Sequence, residues 1–183
     1  ETAMDAAADR YRYILSLPLS GEPGGTWLYC GGATALLGYL IARGTGMPLF
    51  DYARRCLFEP MGFGSATWAQ GRDGVPIAAS GLRLLPRDML KLGELVLGGG
   101  DWRGRRLVPE AWVRTSTGPI VGISRDRSYG YHWYMGDLTP PGRSRQYHWI
   151  GGIGWGGQRL FVVPELELVV AINCGNYGKD RKI

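Results

Sequence analysis

The sequence predicts an α+β fold in which helices come first and an antiparallel sheet comes last. Up to residue 128 the apolar side chains recur mainly at helical spacing, and over residues 129–177 they gather into short strand-like runs. The links between those runs are too short for a helical crossover, so neighbouring strands must turn back on one another. A chain of 183 residues, 45% hydrophobic with 30 glycines and 7 tryptophans, has the size and composition of a single core-forming domain, residues 1–183, and shows no internal repeat.

Each element has a local cause. Thr2 with Asp5 in the following turn marks a helix start, and Met4, Ala7, Ala8, Tyr11, Ile14 and Leu15 then fall on one helical face. Pro18 and the glycines of residues 21–25 end that helix. A second helix is expected over residues 33–43, with Ala33, Leu36, Leu37, Leu40 and Ile41 as its apolar stripe and Gly44 and Gly46 as its stop. A third starts near Pro48, with Leu49, Tyr52, Ala53, Cys56 and Leu57 at helical spacing. Residues 58–79 read as irregular, punctuated by Pro60, Gly62, Gly64, Gly71 and Gly74. Pro86 opens a helix that turns Met89, Leu92, Gly93 and Val96 to one side, and a short helix follows Pro109 over residues 110–114. Strands are expected at residues 131–135, 145–150, 158–163 and 168–173. The unbroken apolar runs at 160–163 and 168–171 predict strands buried on both faces, and residues 164–167 leave room only for a hairpin.

Composition closes several functional classes. The net charge is +5, but the basic residues are scattered (Arg54-Arg55 and residues 103–106, 143–145 and 179–182) and form no stripe interleaved with aromatics, which argues against nucleic acid as a partner. No apolar stretch is long enough for a membrane span. Cys30, Cys56 and Cys174 show neither a disulfide framework nor metal-ligand spacing, and His132 and His148 stand in no metal-binding helix motif, so neither a metal nor a cofactor is expected. Cys30 has no basic neighbour to make a thiolate and reads as a small buried hydrophobe. The two histidines read as structural, and the basic clusters as solvated loop charge. The chain begins at Glu1 with neither an initiator Met nor a signal peptide, as a fragment or processed product would, so the missing signal does not separate a periplasmic from a cytoplasmic location.

Two segments carry chemistry. The first is Tyr29-Cys30-Gly31-Gly32-Ala33-Thr34-Ala35-Leu36-Leu37-Gly38, and the second is Gly154-Trp155-Gly156-Gly157-Gln158-Arg159-Leu160-Phe161-Val162-Val163-Pro164-Glu165. They resemble the second and third active-site segments of the serine β-lactamase, penicillin-binding-protein and esterase superfamily. Arg43-Gly44-Thr45-Gly46-Met47-Pro48, Leu57-Phe58-Glu59-Pro60-Met61-Gly62 and Ala79-Ser80-Gly81-Leu82 keep the same rhythm. Within the superfamily the Gly-x-Gly-Gly-Gln form is most similar to nylon-oligomer hydrolases and related esterases. The resemblance implies a β-lactamase/transpeptidase-like fold, with helices packed on the antiparallel sheet. It also implies that the domain is incomplete, because the N-terminal strands, the nucleophile helix and the C-terminal helix of such enzymes have no counterpart here. The nucleophile segment of that family is Ser-x-x-Lys, and no Ser stands three positions ahead of Lys91, Lys179 or Lys182.

What the resemblance implies for the site is specific. A serine hydroxyl must lose its proton as it attacks, and Tyr29, in the loop entering a helix, stands where the family's proton relay stands. A phenol holds its proton firmly in neutral water, and a neighbouring ammonium would favour its release. Many relatives read Tyr-x-Asn, whereas here the third position is Gly31. Relatives also carry Lys-Thr-Gly or His-x-Gly on the strand beside the site, whereas this strand reads His148-Trp149-Ile150-Gly151-Gly152-Ile153-Gly154-Trp155. Both departures argue against penicillins and favour esters or amides. The oxyanion donor is assigned to the Trp155 amide, with Gly152 as the alternative, and Gly154 and Trp149 are expected beside the substrate. The phenol and this amide are expected to serve one cleft. The intact protein would then be a serine hydrolase cleaving small esters or amides through an acyl-enzyme, with Ser and Lys outside this chain, and residues 1–183 alone would be inactive. The alternative is a non-catalytic relative that binds peptide, cell-wall or polymer fragments. Apolar faces left open would meet the missing N-terminal part or a second copy.

Overall fold

The structure, a computed structural model, describes residues 2–178, and the chain divides into two compact units, Glu1–Leu85 and Pro86–Ile183. The basic cluster at residues 179–182 lies outside the described residues. Among the described residues no helix is long and apolar enough to cross a membrane, and no group of three or more His, Cys, Asp or Glu side chains is arranged to hold a metal ion.

The first unit is mainly helical: α1 (Thr2–Ala6), α2 (Arg10–Ser16), α3 (Gly31–Thr45) and α4 (Leu49–Ala53), which runs on into π-type turns at Arg54–Phe58. A two-stranded antiparallel pair, β1 (Ala66–Trp68) with β2 (Leu82–Leu84), follows in the region expected to be irregular. The single N-terminal helix of the sequence reading is broken in two. Asp9 causes the break: its carboxylate accepts from the Tyr11 and Arg12 N–H groups at 3.1 and 2.9 Å and starts a new helix there. A short acidic side chain stabilises such a start better than a helix interior.

Helix α3 ends as predicted, at Gly46 with φ 67°, but the face it buries is reversed. Gly31, Ala35 and Gly38 are covered, whereas Leu37, Leu40 and Ile41 of the expected stripe are 47%, 61% and 40% exposed. Close approach is the reason. A Cβ on Gly38 would stand 2.5 Å from the Ala78 Cβ and 3.1 Å from Leu49 Cδ2, so this contact admits only a small-residue face. The large apolar stripe is left to the opposite side, open.

Arg10 in α2 is 3% exposed and pairs with Asp73 in the loop before β2. Gly71 makes room for it, since a Cβ there would fall 1.6 Å from Arg10 Nη2. Asp73 is 29% exposed, so removing one partner costs less than the roughly 3–5 kcal/mol of a fully buried pair.

The second unit holds the sheet. Helix α5 (Pro86–Leu97) leads into the two-residue strands β3 (Asp101–Trp102) and β4 (Arg105–Arg106), then α6 (Glu110–Ser116). Six strands follow: β5 (Val121–Ser124), β6 (Arg127–Gly130), β7 (Trp133–Leu138), β8 (Tyr147–Ile153), β9 (Arg159–Val163) and β10 (Leu168–Ile172). They form one antiparallel meander in which every strand pairs with its sequence neighbour. The α+β class and the last four strands stand as the sequence predicts.

The pleat divides the sheet's side chains cleanly. Cross-strand partners Met135↔Ile150, Ile150↔Val162, Gly152↔Leu160 and Val162↔Val169 share one face. Helix α5 covers that face at its glycine: a Cβ on Gly93 would meet Val169 Cγ1 at 2.3 Å and Leu160 Cδ1 at 3.1 Å. Met135 and Val162 are fully buried there, and each such side chain contributes about 1.5–3 kcal/mol by leaving water. The other face corrects the expectation of strands buried on both sides. Trp149, Ile153, Phe161 and Val170 line an open groove of about 470 Å³, with Arg127 and Arg159 at its margin. Among the described residues one layer of helix covers this unit's sheet, so its apolar runs are half open. This face and the α3 stripe are the exposed apolar surfaces expected from the sequence.

The β6–β7 hairpin is strained. Its two loop residues, Tyr131 and His132, both take positive φ, 44° and 74°. A two-residue turn of this hand favours Asn-Gly. The corresponding β3–β4 turn places glycine second, with Arg103 at φ 54° and Gly104 at 84°. Substitutions at His132 should therefore order as Gly most stable, His next and Val least, across a span of about 2 kcal/mol in urea unfolding, because a β-branched residue fits the left-handed region worst. A Val variant as stable as the Gly variant would refute the strain.

Candidate active site

Tyr29 lies in the extended segment that enters α3, with Cys30 as the helix N-cap at φ −133° and ψ 103°. Its ring is 49% exposed and stands 6.5 Å from that of Trp27. The phenol oxygen has no hydrogen-bond partner among the described residues. Gly31 is buried at the head of the helix, and a Cβ on Gly32 would meet Ile14 Cγ2 at 3.3 Å, so α2 lies against the first turn of α3. Tyr29 thus projects from a braced helix entrance. Cys30 corrects an expectation: its thiol is exposed, because the N-cap position turns the side chain away from the covered face.

Gly152, Gly154 and Trp155 stand together at the C-terminal end of β8 and in the turn after it. The turn is a three-residue hairpin loop. Gly154 N–H donates to Gln158 O at 2.9 Å, and Gly157 N–H donates to Gly154 O at 3.1 Å. Gly157 takes φ 93°, while neither Trp155 nor Gly156 has positive φ. That is a type I turn closed by a left-handed glycine, with Trp155 in the second position. The Trp155 N–H donates to no group among the described residues, and its indole is 77% exposed. Arg159 braces the turn by donating from Nη1 to Gly154 O at 2.8 Å and Gln158 O at 2.7 Å.

The ladder separates the two donor candidates. Ile150↔Val162 and Gly152↔Leu160 fall in step with the bonded pair Gly154 and Gln158. In an antiparallel ladder bonded pairs recur at every second residue, so the Gly152 N–H faces β9. Trp155 lies beyond that ladder, with its amide free.

Trp149 is placed elsewhere. It is 8% exposed, crosses Phe161 edge-on at 5.2 Å between centroids, and lies over Gly136, where a Cβ would come within 2.8 Å of its Cζ2. Its ring belongs to the open groove of the sheet face and does not meet Trp155. His148 Nδ1 lies 3.0 Å from Asp137 Oδ1, and its backbone N–H donates to Glu165 Oε1 at 3.2 Å. The Glu165 carboxyl is held below its ordinary range by backbone N–H donors, its own first and that of His148 second. Spacing could not have revealed Gln158, Tyr177 and Cys174, which meet behind the turn. Gln158 Nε2 donates to Cys174 O at 2.9 Å and to Tyr177 Oη at 2.6 Å.

Comparison with known proteins follows the same lines. The family described as Beta-lactamase matches residues 1–181. The chain is 26% identical over 172 residues to the 6-aminohexanoate-dimer hydrolase of Paenarthrobacter ureafaciens, covering 89% of this chain and 42% of that protein. Among solved structures, a Bacillus anthracis protein provisionally described as a 6-aminohexanoate-dimer hydrolase superposes with a TM-score of 0.77 at 22% identity, over 91% of this chain and 42% of that one. A class C beta lactamase from Rhodobacter sphaeroides gives 0.69 at 19%, over 94% and 62%. At these identities the structures establish the fold. The chain spans less than half the length of the curated relative.

The glycines of the turn differ in what they demand. A Cβ on Gly157 would strain a positive φ and stand 3.0 Å from Cys174 Cβ, whereas Gly152 has nothing within 4 Å. Thermal unfolding should show Gly157→Ala less stable by about 1–2 kcal/mol, with Gly152→Ala near the parent. Equal effects would contradict the bulged turn.

Proposed function

The chain belongs to the beta-lactamase family, and from that premise we propose that it supplies the C-terminal part of a serine hydrolase. The reaction is cleavage of an ester or amide through an acyl-enzyme, with the Ser-x-x-Lys nucleophile in sequence outside residues 1–183. Serine Oγ adds to the carbonyl carbon as its proton leaves by the Lys–Tyr29 relay, and collapse of the adduct expels the alcohol or amine, which takes up that proton. Water then repeats the addition on the acyl-enzyme and releases the acid. Tyr29 is the relay member in this chain, the Trp155 amide is the oxyanion donor, Gly152 leaves room for substrate, and Gly154 leaves room for the Gln158 side chain behind the turn.

One observation carries the reading: a glycine-rich strand ends in a clamped turn whose first loop residue, Trp155, keeps its backbone N–H outside the ladder. A rigid donor of that kind stabilises a developing oxyanion without reorganising, and removing one costs about 3–4 kcal/mol, or 10²–10³ in kcat. Gly31 in place of an amide side chain, and the absence of Lys from Gly152-Ile153-Gly154, favour a neutral ester or amide over a penicillin carboxylate. The relative from Paenarthrobacter, described as a 6-aminohexanoate-dimer hydrolase, makes short linear amides the first substrates to try.

The second position of a type I turn accepts proline, so Trp155→Pro removes the donor while the turn is retained. In the intact protein, Trp155→Pro should lower kcat for p-nitrophenyl acetate by about 10²–10³-fold, with Trp155→Ala as the control for the indole. Tyr29→Phe should lower kcat by about 10²–10⁴-fold. Residues 1–183 alone should turn over no faster than buffer. An intact protein indifferent to serine-directed phosphonates would leave the non-catalytic binding reading in its place.

A further inference from the structure

The turn that presents the Trp155 amide is held from behind by a segment of chain beyond the sheet. We infer that Tyr177 is a positioning residue, which acts through Gln158 to hold residues 154–157 in one conformation and so fixes the direction of the Trp155 N–H. The inference rests on the oxyanion reading above and adds to it a residue that neither active-site segment contains.

Both donors of the Gln158 amide are accounted for. A side-chain amide has two N–H donors, and those of Gln158 are both engaged, by Cys174 O at 2.9 Å and Tyr177 Oη at 2.6 Å. Its orientation is therefore settled, because exchanging the amide's O and N would set oxygen against the Cys174 carbonyl. Gln158 Oε1 then lies over the strand end, 2.6 Å from where a Cβ on Gly154 would stand. Asn176 N–H donates to Gly156 O at 3.0 Å, at the crown of the turn. The Tyr177 ring lies flush with the same glycine, leaving 2.5 Å between its Cε1 and a Cβ on Gly156, and sits 5.8 Å from the Trp155 ring. Cys174, Asn176 and Tyr177 thus meet the turn through three separate bonds and one ring face.

Burial does not account for this arrangement. Tyr177 is 59% exposed and Trp155 77% exposed, so neither ring is core. A tail serving only to finish the sheet would need no phenol oxygen aimed at Gln158. A turn carrying a reacting donor does need such bracing, since a misplacement of about 1 Å at a reacting centre costs about 100-fold in rate. Because Tyr177 Oη accepts from Gln158, its own proton remains free, and the phenol serves as the fixed end of the brace.

The test uses the full-length protein with Tyr177→Phe, which keeps the ring and removes the acceptor, Gln158→Met, which keeps the length and removes both donors, and the double variant. Hydrogen exchange at the Gly154, Gly157 and Asn176 amides reads the brace directly. Turnover of p-nitrophenyl acetate and inhibition by phenylboronic acid, which forms a tetrahedral adduct, read its effect on the donor. The expected result is exchange at least about tenfold faster in both single variants, kcat and boronate affinity each lower by about ten- to a hundredfold, KM within about twofold, and a double variant no worse than Gln158→Met. Unchanged exchange in both single variants overturns the inference. So does a loss of thermal stability with kcat and KM shifting together, which marks a structural role alone. Faster exchange with unaltered kcat upholds the brace and removes the oxyanion assignment of Trp155 instead.

Discussion

Closure of the 154–158 turn sets the register of β8 against β9, and the register decides which side chains meet α5. With Gly154 bonded to Gln158, the even-numbered residues Ile150, Gly152, Leu160 and Val162 face the helix, while Trp149, Ile153 and Phe161 face the groove. A slip of one residue in β9 would exchange its two sets and turn Phe161 toward α5 in place of Leu160, which already stands 3.1 Å from a Cβ placed on Gly93. The left-handed conformation of Gly157 and the two bonds from Arg159 hold this closure. The free amide of Trp155 is a by-product of the same geometry, since a three-residue loop bonds its first carbonyl and its last N–H and leaves the middle amides outward.

Much of the fold was legible because its causes are local. Gly46 ends α3, Pro86 opens α5, and the apolar runs of β9 and β10 need no partner to be recognised. The misreadings have non-local causes. The covered face of α3 is set by Ala78 and Leu49, which approach too closely for leucine, so the stripe that looked like core lies open. β6 carries Arg127 and Ser128 in place of an apolar alternation and is a strand because β7 offers it a ladder, to which β5 then adds. The split between α1 and α2 could have been read, since Asp9 is a strong cap, but the apolar spacing across it concealed the break.

The candidate site divides in the same way. The position of Tyr29 ahead of a helix and the glycine spacing around Trp155 are properties of short segments, so a sequence displays them. The burial of Trp149 is not, because it depends on Phe161 and Gly136 from neighbouring strands. Tyr177 stands 19 residues from Gln158 and belongs to no motif. Its role emerges only when each polar atom around the turn is assigned a partner.

The exposed sulfur of Cys30 has a practical consequence. It adjoins Tyr29 in the chain, whereas Cys56 and Cys174 are less accessible. A maleimide dye attached there would sit at the doorway of α3 without altering the phenol. Its emission would then report any change in the surroundings of that entrance.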